Sequence, residues 1–331
     1  MGASNTSADE DISTPMFDLF HGSIEREGAT RTTRQQIIYP VTAINSQGPF
    51  EWRIRTGPDE FLYMPGLRWG GAMKVTQKNG AALTDEDDVS IVNLAPEANL
   101  KSVVFEIETD KIEDSSYNYA YRAYIEKTLS QSMGAKKTHM INEVYYADTA
   151  GRESANTKTG GNAGYDRRAG LIEKSKTCYW NGPLCLDICG VSKPLPPNMT
   201  YTIRMTRNED GFTLMSTKTD KYAIEITDLY LEIQKVIPHD SVLNKIEKRF
   251  ATSPLVYDMT RTKIKRINIA KGIYDGSQHA LFDRGQLPRM VLIGLTDQRG
   301  STGMASHNPF NFKHYNTSEI CLTRNNIPVS T

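Results

Sequence analysis

Apolar and polar side chains alternate with a period of two along much of this chain. In MTYTIRMTR, Met199, Tyr201, Ile203 and Met205 share one parity, while Thr200, Thr202, Arg204 and Thr206 share the other. Successive side chains of an extended chain point to opposite faces, so this run predicts a strand with one buried face. FEWRIRT repeats the pattern with Phe50, Trp52 and Ile54, and SVVFEIE with Val103, Phe105 and Ile107. In YAIEITDLYLEIQKV the apolar parity changes between Ile224/Ile226 and Leu229/Leu231/Ile233. Such a switch predicts a β-bulge or corner near Thr227 and Asp228, where a strand would turn from one sheet to the next. Further strands are expected near 37–44, 67–76, 184–190, 255–269, 289–296 and 318–323.

Turn chemistry punctuates these runs. Asn79-Gly80 and Asp210-Gly211 each follow a strand pattern and read as hairpin turns. Pro194-Leu195-Pro196-Pro197 is a stiff connector into the strand that begins at Met199. One segment reads as helix: residues 117–133 lack Gly and Pro and space Tyr121, Ile125, Leu129 and Met133 by four, with Gly134 placed to end it. A second short helix is expected in KKTHMINEVYYAD. Residues 147–170 carry almost no large aliphatics and read as a long surface loop. Many strands with one inserted helix make this an all-β chain of the sandwich or jelly-roll kind.

Composition narrows the function classes. Lys plus Arg and Asp plus Glu number 39 each, so whole-protein charge does not drive binding to nucleic acid or an anionic membrane. Near-neutral surfaces repel one another little, which eases self-association. No apolar run is long enough to span a bilayer. The opening MGASNTSADEDIST has neither a basic region nor an apolar core and reads as an extended tail rather than a secretory signal. Gly2 and Thr6 loosely match a myristoylation start, without the basic patch that one acyl chain needs for stable anchoring.

Candidate chemistry is sparse. Cys178, Cys185, Cys189 and Cys321 lack metal or redox spacing and read as buried thiols. The six histidines, at 21, 139, 239, 279, 307 and 314, form no ligand set on one element. Thr159-Gly160-Gly161-Asn162-Ala163-Gly164 lacks the P-loop lysine and a preceding strand, and reads as a flexible loop. Asp85-Glu86-Asp87-Asp88 reads as a solvated turn, with calcium binding as the alternative. Arg261 to Lys271 reads as an exposed strand with a charged outer face, or as a patch facing enclosed nucleic acid. No residue stands out as catalytic, cofactor-binding or metal-binding, so no cofactor and no enzyme activity are expected.

The order of motifs is more specific. Asn93-Leu94 and Leu100-Lys101-Ser102-Val103 are followed by Tyr119 to Glu126 (YAYRAYIE) and Gly182 to Ile188 (GPLCLDI). Next come Arg204 to Arg207, then Gly285 to Pro288 (GQLP) with Leu292 to Leu295, and last Asn308 to Phe312 (NPFNF). Over residues 37 to 331 this order resembles the double jelly-roll major capsid proteins of Maverick/Polinton and adintovirus-type elements. The resemblance implies a structural capsid protein of a virion, assembling as homotrimers that look pseudo-hexagonal. Its partners would be neighbouring capsomers and a minor capsid or penton protein, with no sequence-specific nucleic acid.

It divides the chain into an N-terminal arm (1–36), a first roll (37–237) and a second roll (238–331). The second has few residues for eight strands and is expected to be partial. NPFNFKHYN (Asn308 to Asn316) is read as a packing motif that tucks aromatics between sheets ahead of a strand at 318–323. The alternative is a lectin-like jelly roll that presents the same Asn, Phe and Tyr side chains to carbohydrate.

Overall fold

In a computed structural model, which describes residues 30–44, 48–218, 220–250, 252–270, 272, 288–324 and 327–330, antiparallel strands dominate. In chain order they are β1 (Thr30–Ile38), β2 (Phe50–Arg55), β3 (Phe61–Gln77), β4 (Val89–Ile91), β5 (Leu100–Ile107) and β6 (Asp110–Asp114). There follow β7 (Cys178–Pro183), β8 (Thr200–Arg207), β9 (Leu214–Ser216), β10 (Tyr222–Pro238), β11 (Leu322–Arg324) and β12 (Ile327–Ser330). The helices are α1 (Ala95–Ala98), α2 (Tyr119–Ser130), α3 (Met133–Lys137), α4 (Ala163–Ile172), α5 (Asp210–Thr213), α6 (Asp240–Phe250) and α7 (Gln298–Ser301). The N-terminal tail through residue 29, Lys271, and 273–287 with Gly285 to Leu287 and His279 lie outside the described residues.

Two four-stranded sheets run in the order β1-β10-β3-β7 and β2-β8-β5-β6. The pairs β1/β10, β2/β8, β3/β7 and β5/β6 are nested in sequence, each enclosing the next. A long hairpin wrapped around a common core has this connectivity, and it defines a jelly roll. β4 and β9 form a small additional ribbon. The period-two pattern is realised as expected: Phe50, Trp52, Ile54, Val103, Phe105, Tyr201, Ile203 and Met205 are buried from one sheet. Met73, Val75, Ile224, Leu229, Leu231 and Ile233 meet them from the other, in a single cluster.

The parity switch in β10 is a bulge. Its register against β3 shifts between Ile226 and Asp228, and the residues on both sides keep their apolar side chains in the core. The strand does not cross to the second sheet, however; it stays between β1 and β3 throughout. Opposite it, Gly70 leaves room for the Tyr230 ring, since a Cβ there would lie 2.6 Å from that ring and 2.9 Å from the Trp180 carbonyl oxygen.

Several local expectations change. β1 begins at Thr30, inside the segment read as an arm, because its backbone pairs with the end of β10. The Asn79-Gly80 turn forms, with Gly80 at positive φ, but β3 pairs with β10 and β7 rather than with the next strand. Asp210-Gly211 opens α5 instead of a hairpin. Residues 184–190 hold a 3-10 turn rather than a strand. Residues 252–270 and 288–297 carry no strand, and after Pro238 the strands among the described residues are β11 and β12.

Candidate functional site

The inserted segment between β6 and β7 packs against the roll through α2, and the buried face of α2 is not the expected one. Tyr121 is buried, but Leu129 and Met133 are each 66% exposed. The inward residues are Tyr119, Ala120, Tyr121, Arg122, Ala123 and Lys127. The helix ends at Ser130, and Gly134 lies inside α3. Two long cations can face inward because carboxylates meet them and offset the cost of burying their charge.

Arg122 donates to Glu113 and Asp187 at 2.6 Å each and to Glu126 at 3.3 Å. Glu113 also accepts from the Asp187 and Ile188 amides at 2.7 and 3.1 Å, which pins the 3-10 turn to β6. Lys127 Nζ donates to Glu97, to Glu143 and, at 2.9 Å, to the Pro183 carbonyl. Trp69 Nε1 donates to Glu97 at 3.2 Å. Burial works against the charge of Lys127, but Glu97 and then Glu143 outweigh it and hold its pKa above the ordinary value. Burial raises the Glu143 carboxyl despite the opposing Lys127 charge.

NPFNF closes the other side of α2. Phe310 stacks on Tyr124 with ring centroids 4.2 Å apart and 1° between planes, and meets Tyr121 and Phe212 edge-on at 5.7 and 5.8 Å. Asn308 accepts from the Phe310 amide at 2.9 Å and donates to the Glu153 carbonyl at 2.8 Å. Asn311 donates to Ser154. The motif therefore packs, as expected, but between α2 and the α5 segment rather than between sheets. An open depression of about 440 Å³ beside it is lined by Glu153, Ser154, Asn311, Phe312 and Lys313 among others.

Residues 147–170 are an anchored layer, not a loose loop. Arg168 is fully buried and donates to the Ile91 carbonyl, the Tyr146 carbonyl and Asp148 at 2.8, 2.7 and 2.6 Å. The Gly160-Gly161-Asn162 run does open a helix: Asn162 caps α4 by accepting from the Gly164 amide at 3.1 Å. In the acidic turn Asp87 is buried and accepts from Lys221, and from Tyr222, Gln77 and the Thr84 amide at 3.0, 3.0 and 2.9 Å. Burial alone would raise its carboxyl, but these donors hold it well below the usual carboxylate range. Among the described residues no group of three or more His, Cys, Asp or Glu is placed to hold a metal ion.

The basic run also differs from its expectation. Through Ala270 it follows the outside of the fold without joining a sheet: Arg261 donates to the Ile112 carbonyl at 2.7 Å, the Thr262 amide to Asp187 at 2.9 Å, and Arg266 lies 5.9 Å from the Tyr121 ring centroid. Cys178 and Cys185 are buried as expected, whereas Cys321 is exposed. Burial pushes the Cys178 and Cys189 thiols up to about 11 and about 12, so both stay protonated near neutrality. His307 contacts the Ser306 hydroxyl at 2.9 Å.

Sequence reasoning passed over Glu97, Glu113, Glu143 and Arg168. The available signal was on α2, where Lys127 follows Tyr119 and Ala123 at spacing four and therefore shares their face.

Topology and packing define the class as an eight-stranded jelly roll with a helical insertion clamped to one side. No family model matches the sequence. An uncharacterised protein of Caenorhabditis elegans is 21% identical over 300 residues, covering 88% of this chain and 69% of that protein. The Sputnik virophage structure from cryo-EM aligns with a TM-score of 0.42 at 11% identity, over 69% of this chain and 52% of that one. The crystal structure of the mavirus major capsid protein aligns with a TM-score of 0.34 at 11% identity, over 72% of this chain and 52% of that one. The matched region thus spans about half the length of both solved chains. No helix among the described residues is long and apolar enough to cross a membrane.

Proposed function

We propose that this chain is a non-enzymatic capsid protein that packs against copies of itself to build a virion shell. The observation that carries the reading is a complete jelly roll that leaves large apolar side chains in solvent along one edge strand and along the segment after β10. Ile37, Tyr39 and Val41 are exposed at and just beyond β1, the edge of its sheet. Leu255, Val256, Met290, Leu292 and Ile293 are exposed in the later segment. Surfaces of this kind mark association sites, and the balanced net charge puts little repulsion between copies.

The ordered motifs from Asn93 to Phe312 support the Maverick/Polinton-type assignment, with residues 30–238 as a first roll and the remainder contributing to a second. On this reading three chains make a pseudo-hexagonal capsomer, which meets neighbouring capsomers and a penton-type protein.

Light scattering on the purified chain over a tenfold concentration range tests the assembly. A species of three times the 37.1 kDa chain mass is expected. A concentration-independent monomer that binds glycans in titration would replace this reading with the lectin-like one. That alternative is disfavoured by the burial of Asn308, Phe310 and Asn311 in internal packing.

A further inference from the structure

The cluster around Lys127 holds one ammonium between two carboxylates that come from different elements. Glu97 lies on α1, Lys127 on α2 and Glu143 ends the 3-10 turn His139–Glu143. Their side chains are 2%, 5% and 10% exposed, so bulk water is largely shut out. Gly182 seats Glu143, since a Cβ there would lie 2.5 Å from its Cγ. Tyr119, wholly buried, and Cys185 lie against the same cluster. Glu97 uses Oε1 for both Lys127 and Trp69, while its Oε2 is buried with no hydrogen-bond partner.

We propose that Lys127 and Glu97 become joined by an intramolecular amide bond, formed by the folded chain itself. Lys127 rests as an ammonium, and the reaction draws on the minor form in which Glu143, in hydrogen-bond contact with it, has taken a proton from Nζ and freed the amine. Nζ attacks Glu97 Cδ, and the developing negative charge on Oε1 meets the N–H of Trp69, already aimed at that oxygen. Oε1, already in hydrogen-bond contact with Nζ, receives the two protons the amine loses, one directly and one returned by Glu143, and departs as water while Oε2 becomes the amide oxygen. The Nζ–Cδ bond forms and the Cδ–Oε1 bond breaks; ammonium and carboxylate become a neutral amide and one water, with no oxidant or co-reactant.

Two effects favour the reaction. Holding amine and carboxyl in contact inside a packed site replaces an encounter in solution by an internal step, where effective concentrations reach about 10⁵ M or more. A buried ammonium and carboxylate also carry a desolvation cost that the uncharged amide does not. The product would tie α1 to α2 covalently and fasten the helical insertion to the roll.

Intact-mass spectrometry of the denatured full-length chain, followed by peptide mapping, tests this. Wild type is expected to be lighter by one water than its sequence mass, with a branched peptide joining the segments that contain Glu97 and Lys127. Lys127→Arg and Glu97→Ala are expected at full mass. Glu143→Gln keeps both reacting side chains and, if its circular dichroism matches wild type, should form the bond at least about 10²-fold more slowly. Full mass in folded wild type after prolonged incubation overturns the proposal, and so does a water loss that maps to other residues.

Discussion

Asp87 shows how much a single side chain can carry in this fold. It ties the turn after β3 to Lys221 and Tyr222 at the start of β10. Replacing it with Asn should lower stability at pH 7 by about 2 to 3 kcal/mol, the usual scale for hydrogen bonds to a buried charged group. The pH dependence has a definite sign. Because the folded-state pKa is depressed, the stabilisation is fully present above the unfolded value of about 4 and is lost as pH falls through the folded value. The gap between wild type and Asp87→Asn in urea denaturation should therefore narrow at pH 3, and a constant gap would exclude the ionised carboxylate as its source. Little of this was legible in the sequence: Asp85, Glu86, Asp87 and Asp88 look alike there, and only the fold selects which one is buried.

At the scale of elements, period-two strands were readable and the helix face was not. Trp52, Phe105 and Ile203 alternate with polar neighbours because each strand buries one face and leaves the other open. The bulge in β10 was visible for the same reason, since an inserted residue must reverse the parity. In α2 the apolar spacing pointed to Leu129 and Met133, yet the buried side is set by Glu97, Glu113 and Glu143, which arrive from distant segments.

NPFNF behaves as a clasp on that helix. Phe310→Ala should cost about 3 to 5 kcal/mol if its site cannot collapse. The loss should be local, with faster amide hydrogen exchange in residues 119–130 and 149–162 and little change in β2 and β8. Unchanged protection in α2 would mean that the stacking on Tyr124 contributes nothing to holding it.

Across the whole molecule, the exposed apolar edge at β1 is the feature most open to test. Glu introduced together at Ile37 and Val41 touches side chains that are 54% and 60% exposed. The double variant should keep the thermal midpoint of the isolated chain within a few degrees, since exposed substitutions usually change stability by under about 0.5 kcal/mol. If the proposed assembly forms through this edge, the variant's mass by light scattering should fall to that of a single chain. Retention of the wild-type assembly mass would place the contact elsewhere, with Leu292 and Ile293 the next positions to change.

The sequence by itself determined that the chain is strand-rich, where most strands of the roll lie, and that no familiar catalytic or metal-binding pattern is present. Those properties follow from local periodicity, turn residues and residue spacing, which need no knowledge of what lies across the fold. Tertiary structure alone decided the pairing order β1-β10-β3-β7 and β2-β8-β5-β6, the burial of Arg122, Lys127 and Arg168, and the meeting of Lys127 with two glutamates. Each of these depends on contacts between residues far apart in the chain. A buried charge is stable only where its partners converge, and that convergence is a property of the assembled fold.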